Sequence, residues 1–176
     1  MPANEALIVV DVQNLFVDVV GEPVLAAVND QIETAARHGR PVYYTRDYAP
    51  VDGPPDDPRF DLHPKLVVRG TVVTKGPGRK GGFSGFVHAP VPGADEGPGT
   101  GGLSRLGALL ARDGVEAVTV VGIAADVCVA ATARDAAGLG YRVTVPLSAT
   151  AFVGAHPSGA DAAVAELRAA GITVAE

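Results

Sequence analysis

The sequence has one cysteine, no tryptophan, one methionine and only 5% aromatic residues. A single thiol, Cys128, excludes an internal disulfide and a multi-cysteine zinc site, so it is either an inert buried side chain or a reactive thiol. Basic charge is scarce: 14 Lys and Arg face 20 Asp and Glu, a net charge of -6, with no basic run that would neutralise a phosphate backbone. Nucleic acid is therefore not an expected partner. Apolar runs such as 6–10 and 127–131 are far shorter than the ~20 residues of a membrane span, and the N-terminus lacks a basic, apolar, cleavable signal layout. These absences predict a cytoplasmic protein with no membrane partner.

What is present is the material of one globular domain spanning 1–176, with 47% hydrophobic and 19% charged residues and a mean hydropathy of +0.22. A chain of this length buries roughly 70% of the surface it exposes when unfolded. Gly 22 and Pro 14 indicate substantial loops.

Residues 5–12, EALIVVDV, form a short apolar run suited to a strand buried on both faces. In 23–38, Val24, Leu25, Val28, Ile32 and Ala36 recur at helical spacing, with Pro23 suited to a first turn and Gly39 to the stop. Further strands are predicted at 42–45, 71–74, 115–121, 142–145 and 172–174, and helices at 103–113, 127–139 and 159–170. This alternation predicts a three-layer α/β/α sandwich around a mostly parallel sheet of about six strands. Two Gly/Pro-rich stretches, 49–64 and 76–102, exceed ordinary connections and are expected to line a site. No solenoid repeat is visible, and no Gly-x-Gly-x-x-Gly follows the first strand, so a Rossmann-type dinucleotide site is not supported.

In an open parallel sheet, ligands bind beyond the carboxyl ends of the strands. Asp11, Asp47, Lys75 and Cys128 each fall at or just after such an end. Singly they read as a turn former, a loop carboxylate, a solvated charge and a small core residue. Together they supply a thiol, an acid to move protons and a cation to favour thiolate, the minimum for a cysteine hydrolase. Cys128 also follows a strand-to-helix turn, where backbone N–H groups and the helix dipole favour an anion and could hold an oxyanion.

Asp11-Val12-Gln13-Asn14-Leu15-Phe16, Lys75-Gly76, Gly82-Phe83-Ser84-Gly85-Phe86 and Gly122-Ile123-Ala124-Ala125-Asp126-Val127-Cys128-Val129 resemble the nicotinamidase/pyrazinamidase branch of the isochorismatase-like cysteine hydrolases. The resemblance runs over 6–174. It implies Cys128 as nucleophile, Asp11 as general acid/base and Lys75 as the cation that orients Asp11 and completes a catalytic triad. It further implies an oxyanion hole at Ala124 and Cys128, a cis peptide between Ile123 and Ala124, and substrate contacts from Phe16, Phe83 and Ile123.

The departures are informative. Nicotinamidases of this branch carry Asp-x-His and further metal-binding histidines, one in a Trp-Pro-x-His-Cys segment, whereas this chain has Asp47-Tyr48-Ala49 and no tryptophan. No metal cofactor is therefore expected; Asp47 and His63 are the fallback candidates for a divalent metal, a poor set where three protein ligands are usual. Without the metal, Asp47 is expected to meet Arg46, Tyr48, water or a loop N–H. His38, His88 and His156 show no ligand spacing.

The activity implied is hydrolysis of a small carboxamide through an acyl-thioester, with nicotinamide to nicotinate plus ammonia as the nearest precedent. The alternatives are a carbamoyl or ureido amide, isochorismate-type vinyl ether cleavage, or a catalytically degenerate small-molecule or protein binder. Vinyl ether cleavage is disfavoured by Cys128, because true isochorismatases typically lack that nucleophile. A homo-oligomer is a possible assembly.

Overall fold

The computed structural model describes residues 4–54, 56–76, 78, 82–87 and 104–176. Its centre is a parallel sheet of β1 (Glu5–Val10), β2 (Val42–Asp47), β3 (Thr71–Lys75), β4 (Ala117–Ile123), β5 (Arg142–Pro146), β6 (Thr150–Ala151) and β7 (Thr173–Ala175). The main path runs β3-β2-β1-β4-β5-β7, and the short β6 pairs with β4. The helices are α1 (Asn14–Val20), α2 (Glu22–Arg37), α3 (Arg105–Arg112), α4 (Cys128–Gly138) and α5 (Ala160–Ala169).

The three layers follow from the alternation of side chains along β1. Ala6, Ile8 and Val10 pack with Leu106, Leu110, Ala133, Ala136 and Leu167 from α3, α4 and α5. Leu7 and Val9 face the other way, onto Val24, Leu25, Val28 and Ile32 of α2. Both faces of the strand are apolar because both are covered.

Every strand and helix predicted from the sequence is present, with ends displaced by one or two residues. Leu103, the predicted start of the helix that forms α3, and His88 lie outside the described residues. Among the described residues, α1 and β6 are strand or helix elements the sequence did not predict. Residues Asn14–Val20 are rich in β-branched side chains, a weak helix signal, yet they form α1 because Val17 is buried and the helix packs against α2 and the 3-10 turn Pro58–Phe60. At Thr150–Ala151, β6 is too short to leave a periodic pattern.

The strand order places the site. From β1 the chain moves outward through β2 to β3, then returns to lay β4 against the other side of β1. The crevice at such a reversal, beyond the strands' carboxyl ends, is where open sheets hold ligands. Asp11 follows β1 there, and the turn leading to Cys128 follows β4.

Candidate active site

β3 ends at Lys75, whose side chain is fully buried beside that of Asp11, also fully buried. Nζ lies 2.8 Å from Asp11 Oδ2, donates to the Phe83 carbonyl at 2.8 Å, and is 3.6 Å from Cys128 Sγ. Asp11 Oδ1 accepts the Thr45 hydroxyl at 2.7 Å, while Oδ2 has the ammonium beside it but no aligned hydrogen bond. Asp11 holds this position with φ of 47°, a left-handed conformation that aspartate tolerates better than most residues. Removing one member of a buried ion pair of this kind costs about 3–5 kcal/mol, because the other charge is stranded.

Cys128 is the first residue of α4 and is 7% exposed. Burial pushes its thiol above the ordinary range, the Asp11 charge adds to this, and Lys75 pulls the other way without prevailing. The cation expected to favour thiolate therefore acts against burial and the Asp11 charge. Burial also disfavours the Lys75 ammonium, but its interaction with Asp11, the larger influence, and with Cys128 outweighs this and raises that group.

The turn before α4 contains a cis peptide between Ile123 and Ala124. The N–H groups of Val127 and Val129 both donate to the Ala124 carbonyl, and Ala125 N–H donates to Ala151 at 2.8 Å. Among the described residues, these bonds leave the N–H groups of Ala124 and Cys128 without a backbone acceptor. Gly122 makes the approach possible: it has φ of 112°, and a Cβ there would lie 2.2 Å from the Val10 carbonyl oxygen.

Asp47 is 2% exposed, at the end of β2. Its Oδ1 accepts Ala49 N–H at 3.0 Å and its Oδ2 accepts Gly78 N–H at 2.8 Å. Burial raises its carboxyl above the usual range, against those two donors and Lys75. Arg46, expected beside Asp47, instead makes a loose pair with Asp61 at 3.7 Å. His63 Nδ1 accepts Lys65 N–H at 3.2 Å. No group of three or more His, Cys, Asp or Glu able to hold a metal occurs among the described residues. Among the described residues the donor set does not fit a zinc or iron site, because no group of three His, Cys, Asp or Glu forms around Asp47 and residue 49 is alanine.

Of the proposed substrate contacts, Ile123 is 1% exposed, Phe83 is 42% exposed and Phe16 is half-buried against the α2-side core. Phe86 instead stacks on Tyr141, with centroids 6.5 Å apart, and is core packing. Within the stretch 76–102 expected to line a site, residues 77, 79–81 and 88–102 lie outside the described residues.

Residue-by-residue reading missed two polar supports. Thr45 fixes Asp11, and the fully buried Gln13 donates to the carbonyls of Asp47 and Phe60 at 2.7 and 2.6 Å while accepting Asp47 N–H at 3.0 Å. Gln13, in the polar run Asp11-Val12-Gln13-Asn14 that follows an apolar strand, was the available signal. For Thr45, at the predicted strand's last position, the sequence offered none.

A model of the isochorismatase domain matches residues 5–176. The chain belongs to the isochorismatase domain family. Among curated relatives, it is 37% identical to the nicotinamidase/pyrazinamidase of Mycobacterium tuberculosis, covering 95% of this chain and 96% of that one. It is 36% identical to the streptothricin hydrolase of Streptomyces noursei, over 84% of this chain and 49% of the relative. Among solved structures it is similar to the pyrazinamidase of Pyrococcus horikoshii in complex with zinc, with a TM-score of 0.76, 26% identity and coverage of 98% and 99%. No helix among the described residues is long and apolar enough to cross a membrane.

Proposed function

We propose that this isochorismatase-family protein is a cysteine amidohydrolase that releases ammonia from a small carboxamide. The carrying observation is the meeting of Lys75 Nζ with Asp11 Oδ2 at 2.8 Å and with Cys128 Sγ at 3.6 Å, in the crevice where the strand order reverses. The full-length relationship to a nicotinamidase/pyrazinamidase supports the amide class.

In the proposed cycle, Asp11 takes the thiol proton as Cys128 sulfur adds to the amide carbonyl carbon. The N–H groups of Ala124 and Cys128 receive the oxyanion. The tetrahedral adduct collapses, Asp11 returns the proton to the departing nitrogen, and ammonia leaves an acyl-thioester. Asp11 then deprotonates a water molecule that attacks the thioester; the acid is released and the thiol regains its proton. Lys75 keeps Asp11 oriented and offsets negative charge at each stage.

Cys128→Ala is expected to abolish ammonia release while still binding substrate. Persistence of turnover above about one thousandth of wild type would refute the nucleophile. A panel of nicotinamide, pyrazinamide, carbamoyl and ureido compounds, assayed for ammonia, identifies the substrate. Carbamoyl or ureido substrates gain weight from the Asp47 environment, since its carboxylate is engaged by Ala49 and Gly78 rather than free to anchor a metal for a pyridine nitrogen.

The reading includes no catalytic metal at Asp47. Treatment with a strong chelator should leave kcat unchanged, and elemental analysis should find less than one zinc, iron or manganese per chain. Stoichiometric metal whose removal eliminates activity would sink this part of the reading and return Asp47 and His63 as ligands.

A further inference from the structure

We propose that Asp126 is a positioning residue for the oxyanion-binding turn, holding the N–H groups of Ala124 and Cys128 in register by tying this turn to the segment 153–156. The inference rests on the amidohydrolase reading above.

The turn between β4 and α4 is held locally by backbone bonds to the Ala124 carbonyl and has no side-chain cap. Val127 occupies the N-cap of α4 with φ of -133° and ψ of -95°, and no side chain caps the helix. An aspartate at the cap would satisfy the first N–H groups and set a negative charge against any oxyanion. The carboxylate stands one residue earlier and turns away from the helix. Asp126 Oδ1 accepts Val153 N–H at 3.1 Å, and Oδ2 accepts Ala155 N–H at 2.7 Å and His156 N–H at 3.4 Å. These donors outweigh the effect of partial burial and keep the carboxyl below its ordinary range.

The segment receiving Asp126 is itself anchored. His156 Nδ1 accepts Ser158 N–H at 3.2 Å, which leaves Nε2 to face Glu166 Oε1 of α5 at 3.0 Å. Glu166 Oε2 lies 3.5 Å from Arg134 Nη1 on α4. With the Ala125 N–H bond to Ala151, the result is a closed brace from the start of α4, through 151–156 and α5, back to the middle of α4. A helix whose first N–H groups stay unsatisfied by side chains needs such outside support to keep them aimed at a reacting oxygen.

The test compares wild type, Asp126→Asn, Asp126→Ala and Gly154→Ala. Gly154 has φ of 73° within the braced segment, so alanine there strains the segment without touching the turn. The panel amide turned over fastest is assayed beside its acid and its aldehyde, pyridine-3-carbaldehyde and nicotinate if that amide is nicotinamide. The aldehyde adds the thiol and places an oxygen where the oxyanion would sit. Asp126→Ala is expected to lower kcat by about 100-fold, the scale of a 1 Å misplacement, with KM within about 3-fold. Aldehyde affinity should fall in parallel with kcat while acid affinity stays unchanged. Asp126→Asn, which keeps one acceptor oxygen, should fall between Ala and wild type, and Gly154→Ala should lower kcat with the same pattern. If Asp126→Ala does not fold, the other two variants decide.

Wild-type kcat and aldehyde affinity in the folded variants, with Cys128→Ala inactive, would overturn the role of Asp126 alone. A parallel loss of acid and aldehyde affinity would overturn it in favour of general structural damage. Failure of wild type to release ammonia from any panel amide, or full activity in Cys128→Ala, would overturn the amidohydrolase reading instead.

Discussion

At the scale of single residues, the central question is what sets the protonation of Cys128. Its neighbours have opposite signs: the Asp11 charge raises the thiol and the Lys75 charge lowers it, with burial as the largest influence. Asp11→Asn removes the raising charge and keeps the lowering one. The pH midpoint for alkylation of Cys128 by iodoacetamide should therefore move down by about one pH unit or more, even as turnover is lost. An unchanged or higher midpoint in the folded variant would show that Asp11 does not face the sulfur. The nature of the three residues was legible in the sequence, because a thiol, an acid and a cation at strand ends form a recognisable chemical set. The shifts on Cys128 and Lys75 were not, since these depend on burial and on which charge lies nearest.

At the scale of elements, the β1 and β4 contact is the tightest constraint on the site. Val10 pairs with Gly122, and a Cβ at Gly122 would meet the Val10 oxygen at 2.2 Å and nitrogen at 2.8 Å, both backbone atoms that cannot swing aside. The residue also has φ of 112°, so alanine adds backbone strain to the overlap. Gly122→Ala is expected to lose about 3 kcal/mol or more in urea unfolding, together with activity, because separating these strands separates Asp11 from Cys128. Native stability in that variant would contradict the strand register. The long strands and helices were visible as periodic patterns. α1 was not: its β-branched residues obscure a helix that forms because Val17 is buried and α2 is adjacent.

At the scale of the whole molecule, the outer edges of the core answer to pH. Tyr43 on β2 is buried and donates its hydroxyl to Asp113, just past α3; burial, then the Asp113 bond and charge, push its phenol up to about 12. Below pH 10 the phenol is neutral both folded and unfolded, so it adds no pH dependence. Between about 10 and 12 only the unfolded chain releases the proton, so stability should fall as pH rises. Urea midpoints measured at pH 9, 10 and 11 should show this decline, with a shallower slope in Tyr43→Phe. Equal slopes would remove Tyr43 as the cause.

The sequence by itself determined the alternating strands and helices, the sheet they must share, and the residue types delivered to its carboxyl edge. Periodicity and short motifs are local properties, and the topology of a parallel sheet turns strand ends into neighbours. Only the tertiary structure decided how the polar atoms there are used. Asp47 gives its lone pairs to Ala49 and Gly78, Thr45 and Lys75 divide the oxygens of Asp11, and Asp126 reaches a loop beginning 27 residues later. A buried carboxylate takes whichever donors the fold brings within about 3 Å, and those donors come from segments that the sequence keeps far apart.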